Sequence, residues 1–153
     1  MAEWTSVAVQ TVNPGEAILF TENPGRCYRG LILHREDSGL FLIKGTNGNQ
    51  IVRRCPCRGF PSINYMVDFG ANIAIPTGET VGPISLAFAL EGATLAGTTM
   101  TVTPAAVEQF FNVSLATNVP IWLGCCESFS IRNVSEIPIL VQNANLVIAR
   151  PQQ

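Results

Sequence analysis

Hydrophobic and polar positions alternate in short runs along most of this 153-residue chain. In one run, Phe111, Val113 and Leu115 alternate with Asn112 and Ser114, which is the period-two pattern of a strand with one buried face. Similar runs, rich in β-branched and aromatic residues, predict strands at 5–12, 17–21, 28–34, 40–44, 63–69, 71–75, 84–90, 98–103, 110–116, 128–133 and 138–150.

Turn signals separate these runs at intervals of roughly 8–15 residues, as in a β-sandwich or barrel. In Asn13-Pro14-Gly15, for example, proline fixes one turn dihedral and glycine accepts a positive φ. Thr103-Pro104 predicts at most two turns of helix. The predicted fold is all-β, a sandwich of about ten antiparallel strands. We expect a single domain over residues 1–153, with 1–12 as an N-terminal arm or first strand.

Composition changes this picture in one respect. Charged residues make up 13% of the chain, against about 25% in typical soluble domains. A hydrophobic content of 47% and a net charge of −2 exclude disorder, and a pI near 5.3 disfavours a nucleic-acid-binding domain. No run approaches the roughly 18 apolar residues of a membrane span. Neutral side chains therefore occupy outward strand positions, which indicates a solvent face or a subunit contact.

Cysteine usage and the N-terminus indicate a protein made in a reducing cytoplasm. The first residues show no basic segment followed by an apolar one, so we expect no cleaved export signal. The odd number of cysteines disfavours a disulfide framework. Four thiolates could hold zinc, but Cys-x-Cys and Cys-Cys are not its usual spacing, and packed thiols or one disulfide are favoured. The five cysteines are Cys27, Cys55, Cys57, Cys125 and Cys126.

Candidate chemistry is sparse. His34 is the only histidine, beside Arg35, Glu36 and Asp37, and a solvated hairpin end is favoured over a catalytic base. Three arginines in the loop 53–58 could touch phosphate, although a salt-bridged or solvated edge is favoured. Neither a phosphate-binding glycine motif nor a distinctively spaced carboxylate pair occurs. We therefore expect no catalytic, cofactor-binding or metal site.

Two further patterns allow alternative interpretations. The dispersed aromatic residues could form a carbohydrate platform but are more typical of core or interface anchors; they are Trp4, Tyr28, Tyr65 and Trp122. Asn112 and Asn133 each begin an Asn-x-Ser glycosylation match, which has little weight without an export signal.

Three segments together resemble a known family. Residues 65–78 and 81–87 resemble the central strands of small bacterial and phage C1q/TNF-like jelly rolls, and 139–150 resembles the last strand of that fold. Leu90-Glu91-Gly92 and Phe111-Asn112-Val113 continue the pattern between them. The chain also resembles a group of short proteins of tailed phages and prophages of gut Firmicutes, which serve as virion surface proteins. No Gly-X-Y collagen stalk is present, unlike in the spore-surface members.

The resemblance implies a ten-stranded jelly roll that assembles as a homotrimer. Its terminal strands would pair near the threefold axis, which would place Val7, Val9, Leu146 and Ile148 close to the centre. A trimer would also account for the scarcity of charge, because obligate interfaces are apolar and charge-poor.

The expected function is that of a non-enzymatic capsid decoration protein without a cofactor. The homotrimer would bind the major capsid protein on the exterior of a tailed-phage virion, after synthesis in the bacterial host cytoplasm. Residues 2–12 or the loop 53–58 would make the contact, and neither nucleic acid nor membrane is an expected partner. The alternative is a receptor- or glycan-binding trimeric head of a phage fibre or spore-surface filament, with Tyr28, Tyr65 and Trp122 stacking on sugars. An enzyme that unites His34 with a cysteine or carboxylate ranks third.

Overall fold

A computed structural model describes residues 1–24, 30–45, 62–122 and 126–150. These residues form eleven strands and one short 3-10 turn at Ala96–Thr98. The strands are β1 (Ala2–Ser6), β2 (Gln10–Val12), β3 (Ile32–Arg35), β4 (Leu40–Lys44), β5 (Ser62–Ala74), β6 (Ile84–Leu90), β7 (Ala93–Thr94), β8 (Met100–Val102), β9 (Phe111–Trp122), β10 (Cys126–Asn133) and β11 (Ile139–Ala149).

The strands form two antiparallel sheets. In the first sheet the order is β1-β11-β5-β9, and β2 also pairs with β11. In the second sheet the order is β3-β4-β10-β6-β7, and β8 also pairs with β6. The predicted all-β architecture of two antiparallel sheets is therefore confirmed.

The core lies between the sheets and is filled by alternate residues of their strands. Along β5, Ile63, Tyr65, Val67 and Phe69 are buried, and the residues between them are exposed. Aromatic rings link the two sheets: the Phe88 ring packs edge-on against Phe69 of the first sheet, with centroids 6.3 Å apart. Such pairs add about 0.5–1.5 kcal/mol beyond the area they bury.

The sheets come into direct contact where β4 and β9 end. The Tyr65 hydroxyl donates a hydrogen bond to the Lys44 carbonyl oxygen at 2.7 Å. A Cβ on the neighbouring Gly45 would overlap the Trp122 carbonyl oxygen. Glycine is therefore required at this position, because any side chain would separate the two strands.

Two turns have the geometry that their sequences predict. In the turn after β2, the Glu16 amide donates to the Asn13 carbonyl at 3.0 Å, and Gly15 has a φ of +79°. Between β6 and β7, Glu91 and Gly92 both adopt positive φ, at 50° and 80°, which suits a two-residue hairpin.

Several predicted elements differ from the structure. The two strands expected at 63–69 and 71–75 are one strand, β5, which continues through Gly70. Within residues 17–21 only Ala17 forms a bridge, an isolated one to Arg132. No helix follows Thr103: the Glu108 amide instead donates to the Ile75 carbonyl at 2.7 Å, and the positive φ of Glu108, 56°, is not helical.

The N-terminal segment divides into two strands. β1 pairs with β11 and places Ala2 and Trp4 fully inside the core. Residues 2–6 therefore form part of the first sheet and are not a free arm. Among the described residues, no helix is long and apolar enough to cross a membrane.

Candidate assembly surface

The outward side of the first sheet is nearly free of charge. Its three long strands pair side by side, with one register shift on β11 between Gln142 and Asn145. Their outward residues form one surface, which we call the charge-poor face. All are exposed or half-buried, and Asp68 is the only ionisable side chain among them. They are Asn64, Met66, Asp68, Gly70 and Asn72 of β5, Asn112, Ser114, Ala116, Asn118 and Pro120 of β9, and Gln142, Asn145, Val147 and Ala149 of β11.

Two large apolar side chains stand out on this side of the sheet. Met66 is 47% exposed, and Trp122, which continues the face at the end of β9, is 43% exposed. Amide side chains elsewhere on the face satisfy one another: the Asn112 Nδ2 donates to the Asn72 Oδ1 at 3.1 Å across the β5–β9 pair. The face therefore combines apolar contact area with polar groups that have low desolvation costs.

The few acids lie in one cross-strand row. Asp68 is opposite Ala116 on one side and Val147 on the other, and Val147 is opposite Glu3 of β1. The Glu3 carboxylate accepts a hydrogen bond from the Asn145 Nδ2 at 2.6 Å. No basic residue occurs within the strand positions of the first sheet.

Strand β9 forms one edge of the first sheet. Its 12 residues contain no charged side chain, whereas natural edge strands usually have charges that prevent contact with other chains. Pro120 lies near its end and is one of the residues that protect edges. Most of this edge is nevertheless suited to contact with another protein surface.

The four residues expected near a threefold axis differ in exposure. Leu146 and Ile148 point into the core and are fully buried, opposite Trp4 and Ala2 of β1. They are therefore not available for contact with a neighbouring copy, and their distance from a threefold axis stays a prediction. Val7 and Val9, which are 59% and 49% exposed, remain available between β1 and β2.

The aromatic residues considered as a sugar platform lie apart. Trp4 and Tyr65 are fully buried in the core, as the alternative of core anchors predicted. Trp122 is exposed, and Tyr28 lies outside the described residues. Tyr65 cannot stack on a ligand, because β5 turns it inward together with Ile63 and Val67.

His34 is not at a solvated hairpin end. Its ring stacks on Phe41, with centroids 4.4 Å apart and an interplanar angle of 12°, and Trp4 and Phe20 complete an aromatic surround. Burial lowers the pKa of His34, and the nearby Glu36 carboxylate raises it to a smaller extent. Its buried Nε2 has no hydrogen-bond partner within the described residues, so this nitrogen forms no Ser-His or Cys-His hydrogen bond there.

The other charged residues of that turn, Arg35, Glu36 and Asp37, are exposed as expected. The arginines of the loop 53–58 lie outside the described residues, as do Cys27, Cys55, Cys57 and Cys125. Cys126 is an exposed free thiol. In the described ranges, no group of three His, Cys, Asp or Glu side chains is close enough to hold a metal.

The two Asn-x-Ser matches lie in different environments. Asn112 is exposed on the charge-poor face. Asn133 is fully buried, and its Nδ2 donates to the carbonyls of Val12 and Ile137, both at 2.9 Å. Its Oδ1 accepts from the Ser135 amide at 2.8 Å. This match is therefore a structural asparagine that joins two turns of the sandwich.

Among the described residues, Glu127 of β10 is the carboxyl group whose pKa is shifted. Burial raises its pKa, the neighbouring Glu91 carboxylate raises it further, and a hydrogen bond from the Trp122 backbone lowers it. One of its oxygens, Oε2, is buried without a partner among the described residues. Two acids at one sheet end, with no base described beside them, do not by themselves define a site.

Comparison with known proteins supports the fold alone. No protein-family model matches the chain, and no curated protein matches it. Among solved structures, Eiger TNF from S. frugiperda is similar with a TM-score of 0.66 and 9% identity, over 99% of this chain and 92% of that one. The globular domain of zebrafish complement 1qA has a TM-score of 0.56 and 10% identity, over 95% and 94%. The chain therefore has the C1q/TNF-like jelly-roll fold that the sequence resemblance implies.

The sequence pattern identified the neutral outward positions of β9. It did not identify the strands whose outward residues lie beside them. Strand pairing was the missing information, because the face is assembled from three strands distant in sequence. Asp68 could have been placed by alternation with Val67 and Phe69. Leu146 and Ile148 could not be assigned to the core in this way, because Val147 between them is also apolar.

Proposed function

We propose that the chain is a non-enzymatic structural protein that assembles as a homotrimer and decorates the exterior of a tailed-phage capsid. The observation that supports assembly is the charge-poor face together with the uncharged edge of β9. A monomer would normally cover such surfaces with Lys and Glu, since charge is depleted mainly in interface cores.

A head-to-tail assembly follows from the different character of these two surfaces. The edge of one copy against the face of the next is a heterologous contact, which forms either a closed ring or an open filament. The C1q/TNF-like fold supports closure with three subunits, because domains of this kind generally form homotrimers.

Such an interface would be energetically inexpensive to desolvate. Met66 and Trp122 contribute apolar area, at about 25 cal/mol per Å² buried. The amides of Asn72 and Asn112 already share a hydrogen bond. Only Asp68 brings a charge into the face, so one carboxylate per subunit determines the electrostatic cost.

The capsid role is supported by the sequence resemblance to short virion surface proteins. A trimer that binds assembled shell, and not free capsid subunits, stabilises the shell by mass action. The partner would be the major capsid protein on the virion exterior, and the protein would be made in the bacterial host cytoplasm. Since residues 2–6 are part of the first sheet, the contact of the N-terminal region would use the exposed residues Val7 and Val9, and the loop 53–58 is the other candidate.

Co-sedimentation tests this role. Purified protein is mixed with expanded and with unexpanded capsid shells of the phage or prophage that encodes it, and the shells are pelleted. We expect the protein in the pellet with at least one type of shell and in the supernatant without shells. A protein that stays in the supernatant with both types contradicts the decoration role.

The second candidate function is a receptor- or glycan-binding trimeric head on a fibre or filament. The exposed indole of Trp122 favours it, because tryptophan faces stack on sugars and serve as interface anchors. A glycan array and the gene neighbourhood together distinguish the two functions. A neighbouring stalk or tail-fibre gene favours the head, and a neighbouring major capsid gene favours decoration.

A further inference from the structure

A groove of about 540 Å³ lies where the segment after β2 meets the turn between β3 and β4. Its volume is within the range of about 300–1,000 Å³ that small-molecule sites occupy. Ten residues line it: Gln10, Thr11, Gly15, Glu16, Ala17, Leu19, Asp37, Ser38, Leu40 and Arg132.

The walls of the groove are fixed before any ligand binds. Gln10 clamps the backbone of Leu19: its Nε2 donates to the Leu19 carbonyl at 2.8 Å, and its Oε1 accepts from the Leu19 amide at 2.9 Å. On the other wall, Gly39 packs so closely on Ile18 that a Cβ would overlap the Ile18 carbonyl oxygen. A preformed site of this kind has a small ordering cost on binding.

The groove contains polar groups with unused hydrogen-bonding capacity. The half-buried Arg132 uses its Nε to reach the Ser130 hydroxyl at 3.0 Å, and no carboxylate among the described residues pairs with it. Asp37 is exposed and likewise forms no ion pair within those ranges. The Ser38 Oγ is buried without a partner there. Glu16 is already engaged, because its Oε2 accepts from Asn13.

An apolar strip continues the groove. Leu19 is 38% exposed, and Leu40 lines both this groove and a neighbouring pocket of about 180 Å³ formed with Arg35, Leu42 and Ser128. Leu40 and Leu42 lie on the same outward side of β4, so the two cavities adjoin at Leu40 along that strand. An extended ligand could follow it.

We propose that this groove binds a neutral oligosaccharide. A ligand carboxylate or phosphate would meet Asp37 and Glu16, and a cation would meet Arg132, so the mixed charges disfavour both. Sugar hydroxyls donate to a carboxylate and accept from a guanidinium at once. The C–H faces of a sugar ring would pack on Leu19 and Leu40, and a second ring would extend toward Leu42.

The groove and the charge-poor face share no residue. The groove lies on the side of the sandwich that contains β2 and β4, whereas β9 forms the other edge of the first sheet. Sugar binding is therefore independent of the proposed assembly and of the capsid role. If the sugar-binding proposal fails, the assembly and capsid proposals are unaffected, and the reverse also holds.

Saturation-transfer NMR tests the proposal, with cellotriose, mannotriose, maltotriose and galactotriose as neutral probes and trigalacturonate as the acidic one. We expect transfer to at least one neutral trisaccharide. Arg132→Gln and Asp37→Asn should each weaken its binding about tenfold or more, since a hydrogen bond to a charged group contributes about 1.5–3 kcal/mol. Glu79→Gln, in the turn after β5, is the matched control and should bind like the wild type.

Three results would overturn the proposal: no transfer to any neutral trisaccharide at millimolar concentration, a preference for trigalacturonate, or unchanged binding in both groove variants. Thermal unfolding first shows whether each variant folds. If Arg132→Gln does not fold, Asp37→Asn decides, because Asp37 is an exposed turn residue and its replacement preserves shape.

Discussion

The imidazole of His34 loses hydration on folding and gains aromatic neighbours. It stacks on Phe41, and its Nε2 is buried without a hydrogen bond from or to any described residue. A charged imidazolium would therefore be poorly solvated there, which is the reason why burial lowers its pKa. The ring also contacts Trp4 of the first sheet, so His34 lies where β3 of the second sheet meets the first sheet.

We expect acid to destabilise the wild type more than a His34→Phe variant. In the unfolded chain the imidazole titrates near its ordinary pKa of 6.5, whereas in the folded protein the pKa is lower. Between these two values the unfolded state binds more protons, so the free energy of unfolding falls as the pH drops below about 6.5. Below the folded-state pKa this loss is complete.

Urea unfolding from about pH 7.5 to about pH 5 measures this effect. Above the pH range in which histidine titrates, the difference in unfolding free energy between His34→Phe and the wild type should be constant. As the pH falls through that range, the variant should become more stable relative to the wild type. Parallel stability curves for the two proteins would show that His34 has the same pKa folded and unfolded.

Single residues show how far alternation alone predicts the environment of a side chain. Tyr65 belongs to the inward set of β5, and its burial follows from that pattern. The environment of His34 does not follow from sequence, because its aromatic neighbours Trp4, Phe20 and Phe41 come from three separate segments. Nearby charges in the sequence indicated solvent, but tertiary contacts turned the ring inward.

At the scale of elements, glycines determine where strands can approach each other. Gly39 ends the turn between β3 and β4 with a φ of +65° and lies directly against the Ile18 carbonyl. Gly78 has a φ of +94°, but a Cβ added there would meet only open space. The two positions thus share the left-handed backbone and differ in the space available to a side chain.

Gly39→Ala should therefore be more destabilising than Gly78→Ala. At Gly78 we expect a loss of about 1–2 kcal/mol from the left-handed conformation alone. At Gly39 the overlap with the Ile18 carbonyl adds about 1–3 kcal/mol, because the turn must move away from the neighbouring segment. Urea unfolding of both variants measures the difference, and equal losses would contradict close packing at this turn.

Strand limits were predictable where turn signals are strong and not where a glycine lies inside a strand. β4 and β6 have the predicted limits, since clear turns flank them. Gly70 indicated a break, but it pairs with Ser114 on one side and Asn145 on the other. The irregularity lies instead on β11, where the register shifts between Gln142 and Asn145 and Asn143 has a φ of 52°.

At the scale of the whole molecule, the scarcity of charge is concentrated on the charge-poor face of the first sheet. Sequence reasoning predicted neutral outward positions, and strand pairing gathers them on the charge-poor face, whose single carboxylate is Asp68. The groove beside Arg132 could not be predicted in this way. Its residues come from β2, the following segment, the β3–β4 turn and β10, and only the tertiary fold brings them together.

A charge placed on the charge-poor face should break the assembly. Ser114 is exposed, lies opposite Gly70 and is diagonal to Asp68, so the carboxylate in Ser114→Glu would meet a like charge and no base among the strand residues of the first sheet. Burial of an unpaired charge costs about 3–5 kcal/mol, which weakens association about a hundredfold or more. Thr94→Glu, at an exposed position of the second sheet, is the control and should leave the assembly intact. Light scattering after size exclusion measures both, and equal masses for the two variants would exclude this face from the contact.

The same measurement on the wild-type protein tests self-association most directly. At micromolar concentration, size-exclusion chromatography with multi-angle light scattering should give a mass three times that of the 16.5 kDa chain. A mass of a single chain at that concentration would contradict the homotrimer and the function built on it.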